Sequence, residues 1–191
     1  MRTRNQDSGT EDAVRAVLLA EYEALKAEQK SRIALRDRLV YTALAALAAT
    51  LALALQPVER PHLVLLLPLV CVVLGWTHLA NDQKITAIGA YLRGEFAPLL
   101  AHRAGSLADL LSWETHHRAS RYRRVDKCAQ LAVDLLVFAV PSLLATAFYW
   151  TAVDMHPALF AGSVLEALVT LALATRVILA ADLSSGTRRS V

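Results

Sequence analysis

The sequence predicts an all-α fold: a four-span helical membrane protein with long cytoplasmic helical extensions on spans one and three. Three observations predict it. Only 19% of the 191 residues are charged, against about 25% in a typical soluble domain. Charge is nearly absent from four segments, and the basic residues gather at one end of each segment. A helix needs about 17 to 25 largely apolar residues to cross a bilayer core, and each segment supplies them.

The four predicted spans are residues 39–55, 63–79, 128–150 and 158–181. The first two contain no charged residue, whereas Asp134 interrupts the third, and Glu166 and Arg176 interrupt the fourth. The alternative is a soluble protein with four buried core helices. Two uncharged stretches of this length, so close together in the sequence, argue against that alternative.

Basic residues set the orientation of the spans. They cluster before the first span, between the second and third, and after the fourth, whereas Arg60 is the one Lys or Arg in the other two connections. The positive-inside rule therefore places both termini and the central segment in the cytoplasm. The chain then divides into a cytoplasmic helix, a transmembrane hairpin, a cytoplasmic helical segment, a second transmembrane hairpin and a cytoplasmic tail. Their predicted bounds are 1–38, 39–79, 80–127, 128–181 and 182–191.

The residues before the first span predict one long helix from about residue 11 to residue 55, capped by Ser8 or Thr10. An i,i+4 pair of Glu28 and Arg32 supports it. Its cytoplasmic half carries an apolar stripe, formed by Val14, Leu18, Tyr22 and Leu25. A helix this polar is not stable alone, so it is expected to pack on another cytoplasmic helix or on a second subunit. We therefore expect a homo-oligomer, most simply a dimer.

The central segment predicts two helical pieces. The first covers residues 81–96, and Pro98 and Gly105 mark a break after it. The second begins at Ser106, which resembles the start of a capping box, and runs from Leu107 into span three without a Gly or Pro before Pro141. Two long helices, each followed by a short outer turn and a return span, form the pattern of a parallel repeat.

Three ionisable residues within the spans are the candidates for function: Glu166, Asp134 and Arg176. A charged group at the centre of a bilayer costs about 2.5 to 3.5 kcal/mol on insertion scales, so Glu166 should face the bundle, an aqueous cavity or another subunit. It is either a proton or cation site or a protonated carboxyl that makes one interhelical hydrogen bond. Asp134 and Arg176 lie at comparable depth and are candidates for an ion pair, although Arg176 is equally able to reach the headgroups alone.

A basic run before span three is the candidate for contact with anionic lipid headgroups. Its residues are Arg118, Arg121, Arg123, Arg124 and Lys127. Recognition of a nucleotide or another anionic ligand is the alternative. The formal net charge of +3 belongs to residues beside the spans, where basic side chains anchor membrane helices, so no nucleic-acid partner is expected.

No cofactor, metal site or catalytic residue is predicted. His116 and His117 are adjacent, so on a helix they point about 100° apart, and no zinc-binding or nucleotide-binding motif occurs. His78 and His102 are isolated. Cys71 and Cys128 lie within or at the edge of apolar segments, where a structural disulfide is not expected.

Two strings carry a resemblance to known proteins: GWTHLANDQKITAIGAYLRGE after span two and WETHHRASRYRRVDK before span three. The chain resembles uncharacterised integral membrane proteins of high-GC actinobacteria, which implies a bacterial plasma membrane but no activity. In layout only, it also resembles small membrane-spanning effectors of bacterial nucleotide-signalled immunity.

These observations favour a non-enzymatic integral membrane protein that oligomerises through its cytoplasmic helices, as a pore-type effector, a channel or a membrane scaffold. A small secondary transporter that uses Glu166 is the first alternative. A membrane enzyme is the second, with a cytoplasmic-face site formed from Asp82, Glu114, His116 and Asp134.

Overall fold

The computed structural model describes residues 2–54, 61–99, 123–152 and 156–181. These residues form helices and the turns that bound them, and no strand occurs among them. The all-α class predicted from the sequence is therefore confirmed.

The first helix, α1, spans Arg2–Ala54, a length of about 80 Å at 1.5 Å per residue. It begins ahead of the predicted start, so Ser8 and Thr10 lie within the helix and the prediction that either caps it is wrong. The predicted pair of Glu28 and Arg32 is confirmed, because the Arg32 guanidinium donates to the Glu28 carboxylate one turn earlier.

The second helix is longer than predicted. A 3₁₀ turn over Pro61–Leu65 leads into α2, which spans Leu66–Tyr91 and so joins the predicted second span to the helix that follows it. Asn81 shows why no break occurs between them. Its side-chain amide donates to the backbone carbonyl of Arg32 on α1 at 2.6 Å, instead of competing for the backbone of its own helix.

Two π-helical turns interrupt the long helices, each shortly before a proline. The turn Leu92–Phe96 continues α2 and precedes Pro98, and the turn Leu135–Ala139 precedes Pro141. A proline has no N–H, and its ring crowds the carbonyl four residues earlier, which a widened turn relieves. Residues 97–99 remain helical, so the helix does not end at Pro98 itself. Gly105, the other residue predicted to mark the break, and the predicted helix start at Ser106 lie outside the described residues.

Helix α3 (Arg123–Asp134) passes through the second π turn into α4 (Val140–Ala152). Helix α5 (Pro157–Ala180) then returns, with Pro157 in the first turn, where the missing N–H has no intrahelical partner to lose. In the described part of the chain, three helical stretches are long and apolar enough to cross a membrane: His62–Leu99, Lys127–Thr151 and Pro157–Ala180. Residues 39–54 of the first predicted span lie in α1, and residue 55 lies outside the described residues.

The backbone contacts divide the chain into two compact units. The first contains Met1–Leu35 and Asn81–Arg121. Its core is formed by Leu18 of α1 and by Leu92 and Phe96 of the first π turn, with the stripe residues Val14, Tyr22 and Leu25 packed against them. The apolar stripe of α1 is therefore covered within the same chain, and this removes the motive given above for a second subunit.

The second unit contains Arg36–Ala80 and Tyr122–Val191. One cluster of its core joins α1, α2, α5 and the second π turn through Ala43, Leu79, Phe138, Leu173 and Val177, with Val137 beside them. A smaller cluster joins α2 to α4 through Leu67, Cys71 and Ala145. Gly75 lies where α2 and α5 approach closely, because a β-carbon placed on it would be 2.5 Å from Leu173 Cδ2. The candidate site belongs to this unit.

Candidate functional site

The buried face of α5 is polar toward the N-terminal end of the helix and apolar toward its C-terminal end. Its buried residues are Ser163, Thr170, Leu173 and Val177. They recur at steps of three and four residues, the spacing that places side chains on one helix face. Glu166 lies three residues after Ser163 and four before Thr170, so it belongs to the same face. The side chain of Glu166 is partly buried there.

One carboxylate oxygen of Glu166 has no visible partner. Its Oε2 atom is buried and makes no hydrogen bond to any described residue. The Thr170 hydroxyl donates to the backbone carbonyl of Glu166 at 2.8 Å rather than to its side chain. A buried polar atom without a hydrogen bond costs roughly 1 to 3 kcal/mol. One alternative predicted for Glu166 was a protonated carboxyl that makes an interhelical hydrogen bond. The Oε2 atom does not form that hydrogen bond with any described residue.

Helix α4 presents a second polar face. Ser142, Thr146 and Tyr149 are buried at steps of four and three residues. The hydroxyl groups of Ser142 and Thr146 each donate to the carbonyl four residues earlier, at 2.9 Å, which leaves their oxygens able to accept. The Tyr149 hydroxyl is buried and, like Glu166 Oε2, makes no hydrogen bond to a described residue.

A hydrogen bond near the connection between α4 and α5 fixes how these two helices are aligned. Trp150 donates through its indole N–H to the Ser163 hydroxyl oxygen at 2.8 Å. In an antiparallel pair, each step back along α4 matches a step forward along α5 at the same rise. Thr146 therefore lies at about the depth of Glu166, and Ser142 at about the depth of Thr170. We use the name polar stripe for the polar residues of these two helix faces, three on each helix: Ser142, Thr146, Tyr149, Ser163, Glu166 and Thr170.

Asp134 lies on α3 in the same unit, but its partner is not Arg176, the residue considered from the sequence. Its Oδ1 atom accepts a hydrogen bond from the Gln130 side-chain amide at 2.9 Å. The same oxygen is 3.1 Å from Nε2 of His78 on α2. Arg176 is exposed, and the structure, which describes both side chains, forms no ion pair between it and Asp134.

His78 is the residue that the sequence reasoning missed. It is only 2% exposed, and its ring lies 5.2 Å from that of Phe138, measured between centroids. The contact with Asp134 has the distance of an ion pair but not the alignment of a hydrogen bond, since both ring nitrogens are buried without one. In the sequence, the available indication was a histidine near the end of a span without Asp, Glu, Lys or Arg.

The other predicted site residues are described only in part. Arg118 and Arg121 lie outside the described residues, as do Glu114 and His116 of the enzyme alternative. Arg123 and Arg124 lie in α3, but their side chains are outside the description, and Lys127 is partly buried. Lipid contact by this run stays a prediction. Among the described residues, no three His, Cys, Asp or Glu side chains are grouped as a metal site requires.

The fold and the lengths of its apolar helices define a helical protein with three candidate membrane spans. Comparison of the chain with protein-family models, curated proteins and solved structures finds no match. The resemblances stated from the sequence therefore stay predictions.

Proposed function

We propose that the chain is a four-span, non-enzymatic protein of a bacterial plasma membrane that moves protons or small cations across the bilayer, as a channel or a small transporter. The observation that carries the proposal is Glu166, whose Oε2 atom is buried and unpartnered on a polar stripe within an apolar bundle. A membrane scaffold has no need of such a group. An ionisable residue inside a membrane is retained where it faces a pathway or a partner.

The distribution of apolar side chains supports the proposal. The face of α5 that does not pack in the chain exposes large aliphatic residues, among them Leu165, Leu168, Leu171 and Leu179. The buried face of the same helix carries Ser163, Glu166 and Thr170. Hydrophobic residues outside and polar residues inside are expected of a helix that lies between lipid and a polar path.

The proposed topology places both termini and the basic central segment in the cytoplasm, with Arg118, Arg121, Arg123, Arg124 and Lys127 against anionic headgroups. Single cysteines in a Cys71→Ser, Cys128→Ser background test it. A membrane-impermeant maleimide applied to whole cells should label the variants His62→Cys and His156→Cys. Both histidines are exposed and lie at the ends of spans. A cysteine at Ser120 should react only after the cells are opened. Labelling of the Ser120 variant in intact cells would refute the topology.

Reconstitution into liposomes tests the function itself. A potassium gradient with valinomycin drives cations inward, and an enclosed pH dye reports protons while an enclosed sodium dye reports sodium. Proteoliposomes should acidify or fill with sodium faster than protein-free liposomes prepared in parallel. Rates equal to those of protein-free liposomes with both dyes would overturn the proposal.

Assembly through the cytoplasmic helices is proposed on a narrower basis than the sequence suggested. The stripe that was expected to need a second subunit is covered by Leu92 and Phe96. Val17 of α1 nevertheless remains 66% exposed. A homo-oligomer that buries Val17 should lose mass by light scattering in mild detergent when Val17 is replaced by Glu. The same mass in the variant and the wild type would count against assembly through this face.

A further inference from the structure

We infer that His78 and Asp134 form a proton-binding site at the cytoplasmic end of the bundle, distinct from Glu166. The inference deepens the proposed function, on which it rests, because it names the proton as the ion that enters from this side. The juxtaposition is a histidine that is 2% exposed, with its Nε2 atom 3.1 Å from a carboxylate oxygen of Asp134.

The hydrogen-bonding needs of the imidazole point to a proton. A neutral ring has one donor and one acceptor nitrogen, and both ring nitrogens of His78 are buried without a hydrogen bond to any described residue. In either neutral tautomer one ring nitrogen keeps a free lone pair, and if that nitrogen is Nε2 the lone pair faces the Asp134 oxygen, which is repulsive. A proton bound to the free lone pair gives an imidazolium, whose Nε2–H makes a charge-assisted hydrogen bond to the carboxylate. No other bond breaks, and release returns the same proton.

The surroundings make the pair a defined site. Gln130 donates to the same Asp134 oxygen at 2.9 Å and so holds the carboxylate in place. The Phe138 ring lies beside the imidazole, and Leu79, Val137, Leu173 and Val177 form the apolar cluster next to it. In such surroundings an ion pair is screened less by water and salt than it is at a protein surface.

Other charged groups lie on the elements packed around this cluster and contribute to any dependence on pH. They include Arg36, Asp37 and Arg38 on α1, Lys127 on α3, and Arg176 and Glu166 on α5. Arg38 and Arg176 are exposed, whereas Asp134 is at ion-pair distance from His78. A variant of Asp134 therefore separates the effect of the pair from that of the wider field.

Nuclear magnetic resonance of the full chain in lipid, with nitrogen-15 in its histidines, tests the site without reference to transport. His78 is assigned as the signal lost in His78→Gln. The wild-type signal should show the imidazolium pattern in acid, and Asp134→Asn should lower its imidazolium fraction. Asp134→Glu should restore it, and His62→Gln, which removes an exposed histidine, should leave it unchanged. A His78 signal that stays neutral at every pH, or that ignores Asp134, would overturn the inference.

Flux measured on the same samples separates this inference from the proposed function. Flux in the wild type that His78→Gln and Asp134→Asn both leave unchanged at every pH would overturn the entry site while the proposed function stands. An Asp134-dependent imidazolium in a protein without flux would leave a proton site and overturn the transport proposal. Should His78→Gln fail to fold, the signal that differs between Asp134→Asn and Asp134→Glu makes the assignment.

Discussion

Replacement of Glu166 by Gln is expected to abolish the ion flux of the reconstituted protein while its fold stays intact. Gln keeps the shape of the side chain and its capacity for hydrogen bonds, but it neither binds a proton nor carries the negative charge that attracts a cation. The buried Oε2 atom is the basis of the proposed site, so the expected loss is complete rather than partial. The measurement is the dye assay in liposomes, with equal amounts of each protein.

Two further variants make the result interpretable. Glu95→Gln removes a carboxylate that is exposed and lies in the first π turn, and it should leave the flux unchanged. Glu166→Leu should abolish the flux as Gln does, and it should be tolerated or even stabilising, because the cost of burying an ionisable group disappears. Equal flux in wild type, Glu166→Gln and Glu166→Leu would mean that this carboxyl is structural.

Replacement of Gly75 by Leu is expected to prevent tight packing of the second unit. The β-carbon alone would stand 2.5 Å from Leu173 Cδ2 and 3.2 Å from Phe138 Cβ, and the rest of the leucine has to fit beyond it. The end of the Leu173 side chain is able to move, but the Phe138 β-carbon is attached to its helix. Extra methylene groups in a packed core cost about 1 to 3 kcal/mol, and here they also force two helices apart.

The native cysteines supply the measurement. Cys71 is fully buried in the same unit, whereas Cys128 is exposed. In a Cys128→Ser background, the temperature at which Cys71 reacts with a maleimide dye therefore reports unfolding, and Gly75→Leu should lower it markedly. Gly162→Leu is the matched control on α5, because a β-carbon on Gly162 would meet no atom within 4 Å. A Gly75→Leu protein as stable as this control would contradict the described packing.

The sequence was sufficient for the helical class and for much of the helix positions, because apolar length and helix breakers act locally. The bounds predicted for the last span, 158–181, lie within one residue of α5. Local signals failed where a distant group decided the outcome. The sequence predicted the end of span two at residue 79 and a separate helix from residue 81, yet α2 continues through both, and the Asn81 side chain donates to Arg32 of another helix. The helix likewise runs through a π turn to Pro98 and beyond it to residue 99.

The sequence was sufficient to predict how deep each candidate residue lies in its span, but not which side chain it contacts. Counting residues from a membrane edge placed Glu166 within its span, and it also placed Asp134 and Arg176 at similar heights. Depth does not give the direction in which a side chain leaves its helix, which depends on how neighbouring helices are rotated. Asp134 therefore lies beside His78, and Arg176 is exposed. The hydrogen bond between Trp150 and Ser163 also depends on how the neighbouring helices are rotated, so the sequence did not predict it.

The two π turns determine where the chain is able to lose a single residue without a change in helix packing. A π turn holds one residue more than an α turn, and it accommodates that residue without altering the faces of the helix on either side. Loss of a single codon within Leu135–Ala139 would therefore leave Asp134 and Ser142 facing as they do. The same loss in the middle of α5 would rotate every later side chain by about 100° and turn Leu173 and Val177 away from the core. Small deletions are thus tolerated where the helices are widened, and excluded where they are regular.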